Sequence, residues 1–330
     1  MKIFTKIALT LAVATTVATS AFAGGPMTNS NQSAHFLRSV ARGTSLSTDA
    51  VYTNPAGVVF MEDGFHLGLN DQMAAQTRTI TSTYAPFAMG VQNGGVPTKD
   101  FKGEVFSPVI PSVHFAWKHN RLALMAGMGV NGGGGSLEFA NGLGSFERQF
   151  SVLPVAVSQL GQPFGLSANQ YNMDMYLMGK SMTLAFNAGA AFRLTDWLSV
   201  AAQVRFSSTS NSYEGYMKNI SLNPNAPAFG MTGAMMPASA FFQAIAAQFG
   251  QLNPELAAAA AQYAALTADH ILDVKQKGTS ISPVVALAFH KGAWDASLKY
   301  EFKMATELEI ESAEVSAKDP VINGIFADGS

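Results

Sequence analysis

No cysteine occurs in the 330 residues, which excludes a disulfide framework, a thiolate metal site, a cysteine nucleophile and a lipidated N-terminal cysteine. Charge is scarce: Asp, Glu, Lys and Arg make up 13%, about half the share usual in a soluble domain. The formal net charge is −2 and no basic stripe is present, so no nucleic-acid partner is expected. Long apolar runs are missing as well. Past the N-terminus nothing reaches the roughly 18 bulky, uncharged residues of a membrane-spanning helix. Catalytic spacings are absent too: His35, His66, His114, His119, His270 and His290 are scattered without an HExxH, and no Gly-x-Ser-x-Gly elbow is found. Gly132–Gly135 lacks the Lys-Ser/Thr of a phosphate loop. The chain therefore reads as a non-enzyme, with no cofactor and no metal expected.

What is present begins with a leader. Lys2 and Lys6 precede an apolar run from Ile7 to Val17, and Ala21-Phe22-Ala23 supplies small residues at −3 and −1 of a cleavage site. Residues 1–23 thus read as a secretory signal peptide, with mature protein from about Gly24.

Downstream, short connections alternate with long ones. Lys118-His-Asn-Arg121, the turn before Trp197 and the turn before Trp294 are tight, whereas the excursions between them run to tens of residues. The segments they join are apolar at every second position. Phe65, Leu67 and Leu69 mark the first; Val113, Phe115 and Trp117 the second; Leu122, Leu124, Ala126, Met128 and Val130 the third. Leu184 to Leu194 and Leu198 to Phe206 form the fourth and fifth, the latter opposing Ser199, Gln203, Arg205 and Ser207. Ile281, Val285, Leu287 and Phe289 give the sixth, and Trp294, Ala296, Leu298, Tyr300 and Phe302 the seventh.

Such strands suit either a secreted sandwich with a shared core or a transmembrane antiparallel up-and-down β-barrel with short inner turns and long outer loops. Trp197 and Trp294 beside tight turns fit the aromatic girdle of the barrel, as does the leader. The expected architecture is an all-β barrel: an N-terminal segment at 24–62, seven strands across 63–311, a helical outer loop at about 217–273 and the start of another loop at 312–330. Bacterial single-chain barrels have even strand numbers, so the seven read as part of a longer barrel.

In the N-terminal segment, Ser33 to Ala41 suits a short helix with Phe36, Leu37 and Val40 on one face. Within the long loop, helices are expected from Ser239 to Gln251 and after Asn253, the latter as N-cap with Pro254 at the first helical position. Their apolar positions either pack on each other as a lid or line an outer groove. The groove candidates are Phe229, Met231, Met235, Met236, Phe241, Phe242, Ile245 and Phe249, since flexible Met and flat Phe suit adaptable apolar ligands. Glu307, Glu309 and Glu311 alternate near the outer end of the seventh strand, as a solvated rim or a calcium-bridged contact to lipopolysaccharide.

Asp49-Ala-Val-Tyr-Thr-Asn-Pro-Ala-Gly57, with Gly24-Gly25 and with Arg38 and Arg42 ahead of it, resembles the FadL/TodX family of outer-membrane transporters. Ser282-Pro-Val-Val-Ala-Leu-Ala-Phe289 and Leu298-Lys-Tyr-Glu-Phe302 are similar to the family's sixth and seventh strands. The resemblance implies a fourteen-stranded monomeric barrel plugged by an N-terminal hatch, of which this chain holds the first half. It implies passive transport of long-chain fatty acids or similar hydrophobic compounds across the bacterial outer membrane. Ligand would be captured at outer loops, pass to an internal site and leave through a gap at a kink in the third strand. Asn54, Pro55 and Ala56 would face that gap, and Gly127, Gly129 and Gly132 to Gly135 either allow the kink or begin a flexible loop. A fatty acid calls for a mostly greasy tunnel with one polar anchor. Arg205 and Lys299 are the inward cations for that role, unless they pair structurally with Glu301. The competing function is a general outer-membrane pore or a loop-mediated surface binding or adhesion protein.

Overall fold

The computed structural model describes residues 33–251 and 253–315, so the leader at 1–23 and residues 316–330 lie outside the described residues. Seven long strands form one strongly curled antiparallel sheet, half a barrel in shape. They are β1 (Gly64–Thr83), β2 (Thr98–His119), β3 (Leu122–Phe139), β4 (Tyr171–Arg193), β5 (Leu198–Leu222), β6 (His270–Lys291) and β7 (Trp294–Glu301). Each neighbours the next in sequence, the meander that tight turns dictate. An eighth segment, β8 (Glu309–Val315), pairs with β6 beyond β7 and extends strand structure into the region expected to be loop from 312. Glu311 there forms an ion pair with Lys277 of β6 at 2.6 Å.

The tight turns sit at one end of the sheet. Asn120 adopts φ 53° between β2 and β3, and Gly292 φ 60° between β6 and β7, the left-handed conformations these residues tolerate best. At the opposite end the strands run further than side-chain alternation suggests. β5 continues through Ser207-Ser-Thr-Ser-Asn-Ser to Leu222, so the long loop spans 223–269 and not 217–273. Backbone pairing with β4 and β6 carries the ladder where apolar alternation has stopped.

The distribution of side chains is the reverse of that in a water-soluble sheet. On β5, Gln203 and Arg205 are each 3% exposed on the concave face, whereas Val204 (52%) and Phe206 (42%) stand uncovered on the convex face. Phe186, Val285, Leu287 and Leu298 continue the exposed apolar surface on adjacent strands. The secreted-sandwich alternative needs a second layer over these residues, and the described residues supply none.

At the tight-turn end the concave face is covered by the N-terminal segment. The expected helix from Ser33 to Ala41 is reduced to one turn, α1 (His35–Arg38), because Ser39 is already extended; Val40 points to solvent. A second turn, α2 (Ala50–Thr53), leads into a 3₁₀ helix at Pro55–Phe60 that lies against the interior of β4, β5 and β6. Room for it comes from small side chains: Ala116, Ala123, Ala191, Ala201, Ala286 and Ala288 pack around Ala50, Val51, Ala56, Val58 and Val59 in one buried cluster. Arg42 bonds Asp49 through two nitrogens at 2.7 and 2.8 Å, and Ser45 adds a third bond at 2.6 Å. Burial alone would raise the Asp49 carboxyl; the Arg42 and Ser45 bonds outweigh it and hold it below the ordinary carboxylate range.

Two outcomes follow. Ala201→Leu overpacks the alanine collar, with an expected cost of about 1–3 kcal/mol in unfolding and faster proteolysis at residues 43–62. Because the folded Asp49 pKa is depressed, its stabilisation is present above the unfolded value of about 4 and is lost as pH falls through the folded pKa. Protease access to the segment should therefore stay flat from neutral pH to about 4 and rise below it, and Asp49→Asn should remove that acid step.

Candidate functional site

Three features of the half-barrel bear on function: a groove at the long-loop end, a break in the wall and a cationic cluster between them. The groove is built from two loops. Between β5 and β6, α5 (Ala238–Phe249) and α6 (Pro254–Leu266) pack as an antiparallel pair, with the Asn253 side chain accepting from the Leu256 amide at 3.1 Å as N-cap. Between β3 and β4, α3 (Gly144–Ser151) leads into α4 (Leu153–Gly161), which with the turn after it supplies the other side. These two helices are an addition to the sequence reading. The signal for them was Pro154 in a first turn with Leu153 and Val157 one turn apart.

Phe229, Met231, Phe241, Phe242, Ile245 and Phe249 line the groove, joined by Val157, Phe164, Leu166, Leu256 and Tyr263, around about 730 Å³ of space open to solvent. Phe164 meets Phe249 at 5.6 Å between ring centres, which closes one loop against the other, and Phe242 stacks on Tyr263 at 5.1 Å. Burial pushes the Tyr263 phenol upward, so it stays neutral. Met235 and Met236 take no part in the lining. Met235 faces solvent, and Met236 pairs with Leu222 at the end of β5 and packs on the buried cluster beneath the loops. Glu147 fixes α3 to the sheet. It accepts from Tyr171 and Lys99, both at 2.8 Å, and is itself buried.

The wall break lies between β2 and β3. Their ladder runs from His119↔Leu122 to Ser112↔Gly129, stops, and resumes at Phe106↔Ser136. Between these points the β2–β3 register lapses, with residues 107–111 on one side and 131–135 on the other. Pro108 and Pro111 lack the N–H the ladder needs, which accounts for the β2 side. On the other side, Gly133 (φ 66°) and Gly134 (φ 112°) accompany two register shifts against β4. A Cβ on Gly133 would lie 2.0 Å from the Ser181 carbonyl oxygen, so only glycine fits. The Ser107 hydroxyl donates to the Gly134 carbonyl and is a side-chain link across the break.

Gly127 and Gly129 both sit in continuous ladder on the tight-turn side of the break, Gly129 in its last pair. Gly127 serves instead to admit the N-terminal segment: a Cβ there would meet Val51 at 3.2 Å. Asn54, Pro55 and Ala56 are all buried deeper toward the tight turns. The Asn54 side-chain amide donates to the Ser45 carbonyl at 3.1 Å, and the Ala56 carbonyl accepts from Ser199 at 2.6 Å. The N-terminal residue that reaches the break is Tyr52, whose hydroxyl donates to Asn131 Oδ1 at 2.5 Å.

Arg205 and Lys299 converge on the concave face. Both pair with Glu301 Oε1, at 2.7 and 3.1 Å, and Arg205 Nε also donates to Asn187 at 2.7 Å. The structural partner named for them from sequence is therefore present, and two cations share one carboxylate. Both stand over the Tyr52 ring, at 4.7 and 5.2 Å from its centre. Beyond them toward the long loops the wall is polar, not greasy as a fatty-acid tunnel would require. Ser207, Thr209 and Asn211 of β5 run beside Thr183 and Ser280, all buried. Each lies opposite a convex apolar or hydroxyl position, so the sheet's period of two fixes the polarity of the lining. Among the described residues no three His, Cys, Asp or Glu side chains gather as a metal site, and no helix is long and apolar enough to cross a membrane.

No family model matches the chain, and no curated protein matches it.

The origin of the break is testable. Pro108→Val with Pro111→Val restores two strand donors on β2. We expect the amides gained at 108 and 111 to exchange about tenfold more slowly than open ones, for roughly one regained backbone hydrogen bond. Unprotected amides at both positions would place the cause on the glycine side.

Proposed function

We propose that this chain is part of an outer-membrane β-barrel that carries long-chain fatty acids or similar hydrophobic compounds by a passive route. The observation that carries the reading is the reversal of faces, apolar out and polar in, combined with an apolar groove at the long-loop end. An exposed apolar band is stable where acyl chains cover it. On β5 the band runs from Leu198 to Phe206 before hydroxyls take over at Ser208. That length matches the roughly 9–11 residues a tilted strand needs to cross hydrocarbon. Trp197 and Trp294 stand at its tight-turn edge, as interfacial aromatics do.

In this reading the long loops face outward, the groove collects the ligand, and the N-terminal segment is a hatch that closes the inner end. The Arg205–Lys299 pair is the internal polar anchor, and the stretch where the β2–β3 register lapses is the lateral way out. The similarity of Asp49–Gly57 and of β6 and β7 to the FadL/TodX family supports the same assignment, including a closed barrel of fourteen strands. The hydroxyl-rich wall from Ser207 to Asn211 favours the alternative of a general pore; the filled tight-turn end, with its alanine collar, opposes it.

Two experiments test this. Cells bearing the full-length protein with Ile245→Asp and Phe249→Asp should take up labelled oleate about tenfold more slowly at low concentration, since about 1.4 kcal/mol of apolar contact is removed. Equal uptake at equal surface level, or large stable conductance steps in planar bilayers, would transfer support to the pore. Val204→Arg should cost about 2–4 kcal/mol in lipid vesicles if that face meets acyl chains, and under about 0.5 kcal/mol if it meets water.

A further inference from the structure

We propose that the convex face just outward of the apolar band is a docking surface for a phosphorylated glycolipid, whose acyl chains lie on the band and whose head group lies above it. The proposal rests on the membrane reading of that band; its residues are ones the transport route does not use. Strand register lays the surface out in rows. Ser136 of β3 pairs with Lys180 of β4, Lys180 with Ser212 of β5, Ser212 with Lys275 of β6, and Lys275 with Ser312 of β8. Ser212 shares its face with Val204 and Phe206, because burial alternates without a break between them. Hydroxyl and ammonium groups therefore alternate across the sheet, over a span of roughly 19 Å at the usual strand spacing. On β4 the row comes directly after Met182, an exposed apolar residue, so the lysine borders the band itself.

The charges select the occupant. Lys180 stands exposed with no ion pair among the described residues, and Lys275 reaches Asp273 only at 4.0 Å. Lys277, one row nearer the band, is already held by Glu311 at 2.6 Å, and Lys102 on β2 by Glu104. The next row outward is acidic: Glu104 pairs in register with Glu138, and Glu214 with Asp273. An anion is thus attracted at the Ser–Lys row and repelled just beyond it, which fixes its depth close to where acyl chains begin. Phosphate meets that demand, because the three donors of each ammonium can share its oxygens. A single phosphodiester leaves the hydroxyls of the row idle, whereas phosphorylated sugars present anions and hydroxyls over the same width. The ladders of β4 with β5 and of β5 with β6 continue beneath the row, so its donors stand on a rigid wall and not on a loop.

The experiment measures binding to the full-length protein in neutral detergent micelles. Its probes are diphosphoryl lipid A, the same lipid stripped of phosphate, phosphatidylglycerol and inorganic phosphate. Wild type should bind the diphosphoryl form tightest, with an affinity that falls as salt rises. Lys180→Gln with Lys275→Gln should weaken it about thirtyfold, the effect of two lysines at an anionic lipid surface. Lys102→Gln with Lys277→Gln removes the same charge from the same face but from existing ion pairs, and should cost under about threefold. Lys180→Arg with Lys275→Arg keeps the charge and should stay within about threefold of wild type. Equal binding by wild type and the first Gln pair, or equal losses in the two Gln pairs, overturns the site. Any of the other three probes bound as tightly as diphosphoryl lipid A overturns the head-group assignment. That comparison needs only wild type, so it decides the matter even if a variant misfolds. The membrane reading is tested separately by Val204→Arg; a lipid-dependent cost there with indifference to the lipid A phosphates refutes this surface alone.

Discussion

A β-strand offers its two faces alternate residues, so a sheet whose buried face is polar must leave its apolar residues uncovered. In this chain that choice is made the unusual way round: Gln203, Arg205, Ser207 and Asn187 lie under cover while Val204, Phe206, Phe186 and Leu287 do not. Everything else depends on what solvates the apolar side. If it is acyl chain, backbone pairing must be near complete within the band, because no water is there to satisfy a stray N–H or C=O. The ladders from β3 through β6 meet that demand. The break between β2 and β3 is then a costly feature, and its cause is written in residue types that cannot pair: two prolines opposite four consecutive glycines.

The N-terminal segment and the sheet are fitted to one another by size. Six inward alanines give the 3₁₀ turn at Pro55–Phe60 its space, and Gly127 gives Val51 its own. Beyond this apolar plug the interior becomes ionic. Arg205, Lys299 and Glu301 leave one surplus positive charge in a confined place, held over an aromatic ring. At the other end of the sheet the loop helices bury Phe241, Phe101 and Tyr171 over the strand ends while presenting a second apolar surface between themselves. The order of environments from loops to turns is thus apolar groove, polar wall, cation pair and apolar plug. An amphiphile with an acidic head can be accommodated by that order; a water-filled channel has no need of the first or last.

The sequence was most legible where chemistry repeats with a short period. Alternation located all seven strands at their tight-turn halves, and Asn253-Pro254 marked the start of α6 correctly. It failed where pairing continues without apolar contrast, as in Ser207 to Ser212, so the strands were read too short and the loop at 217–273 too long. The inward alanines were invisible because Ala occurs on both faces and carries no directional signal. Half of the groove is legible in the spacing of α5; the half on α4 is not, because nine residues hold too few turns to show a helical repeat. The wall break is not legible in either strand alone: the glycine run and the two prolines lie over twenty residues apart, and only the register shows that they meet. Arg205 and Lys299 were picked out as inward cations, but nothing in the linear sequence places Tyr52 beneath both.

The central claim is that the convex face of this sheet is bathed in lipid. The absence of cysteine makes a direct measurement simple, because single spin-labelled cysteines can be placed at successive positions of β5 from 198 to 212 without background. In lipid vesicles, labels at 200, 202, 204 and 206 should be accessible to dissolved oxygen and shielded from a water-soluble relaxant, odd positions should be protected from both, and the even positions should turn water-accessible from 208 onward. Even positions open to the water-soluble relaxant along the whole strand would contradict the account.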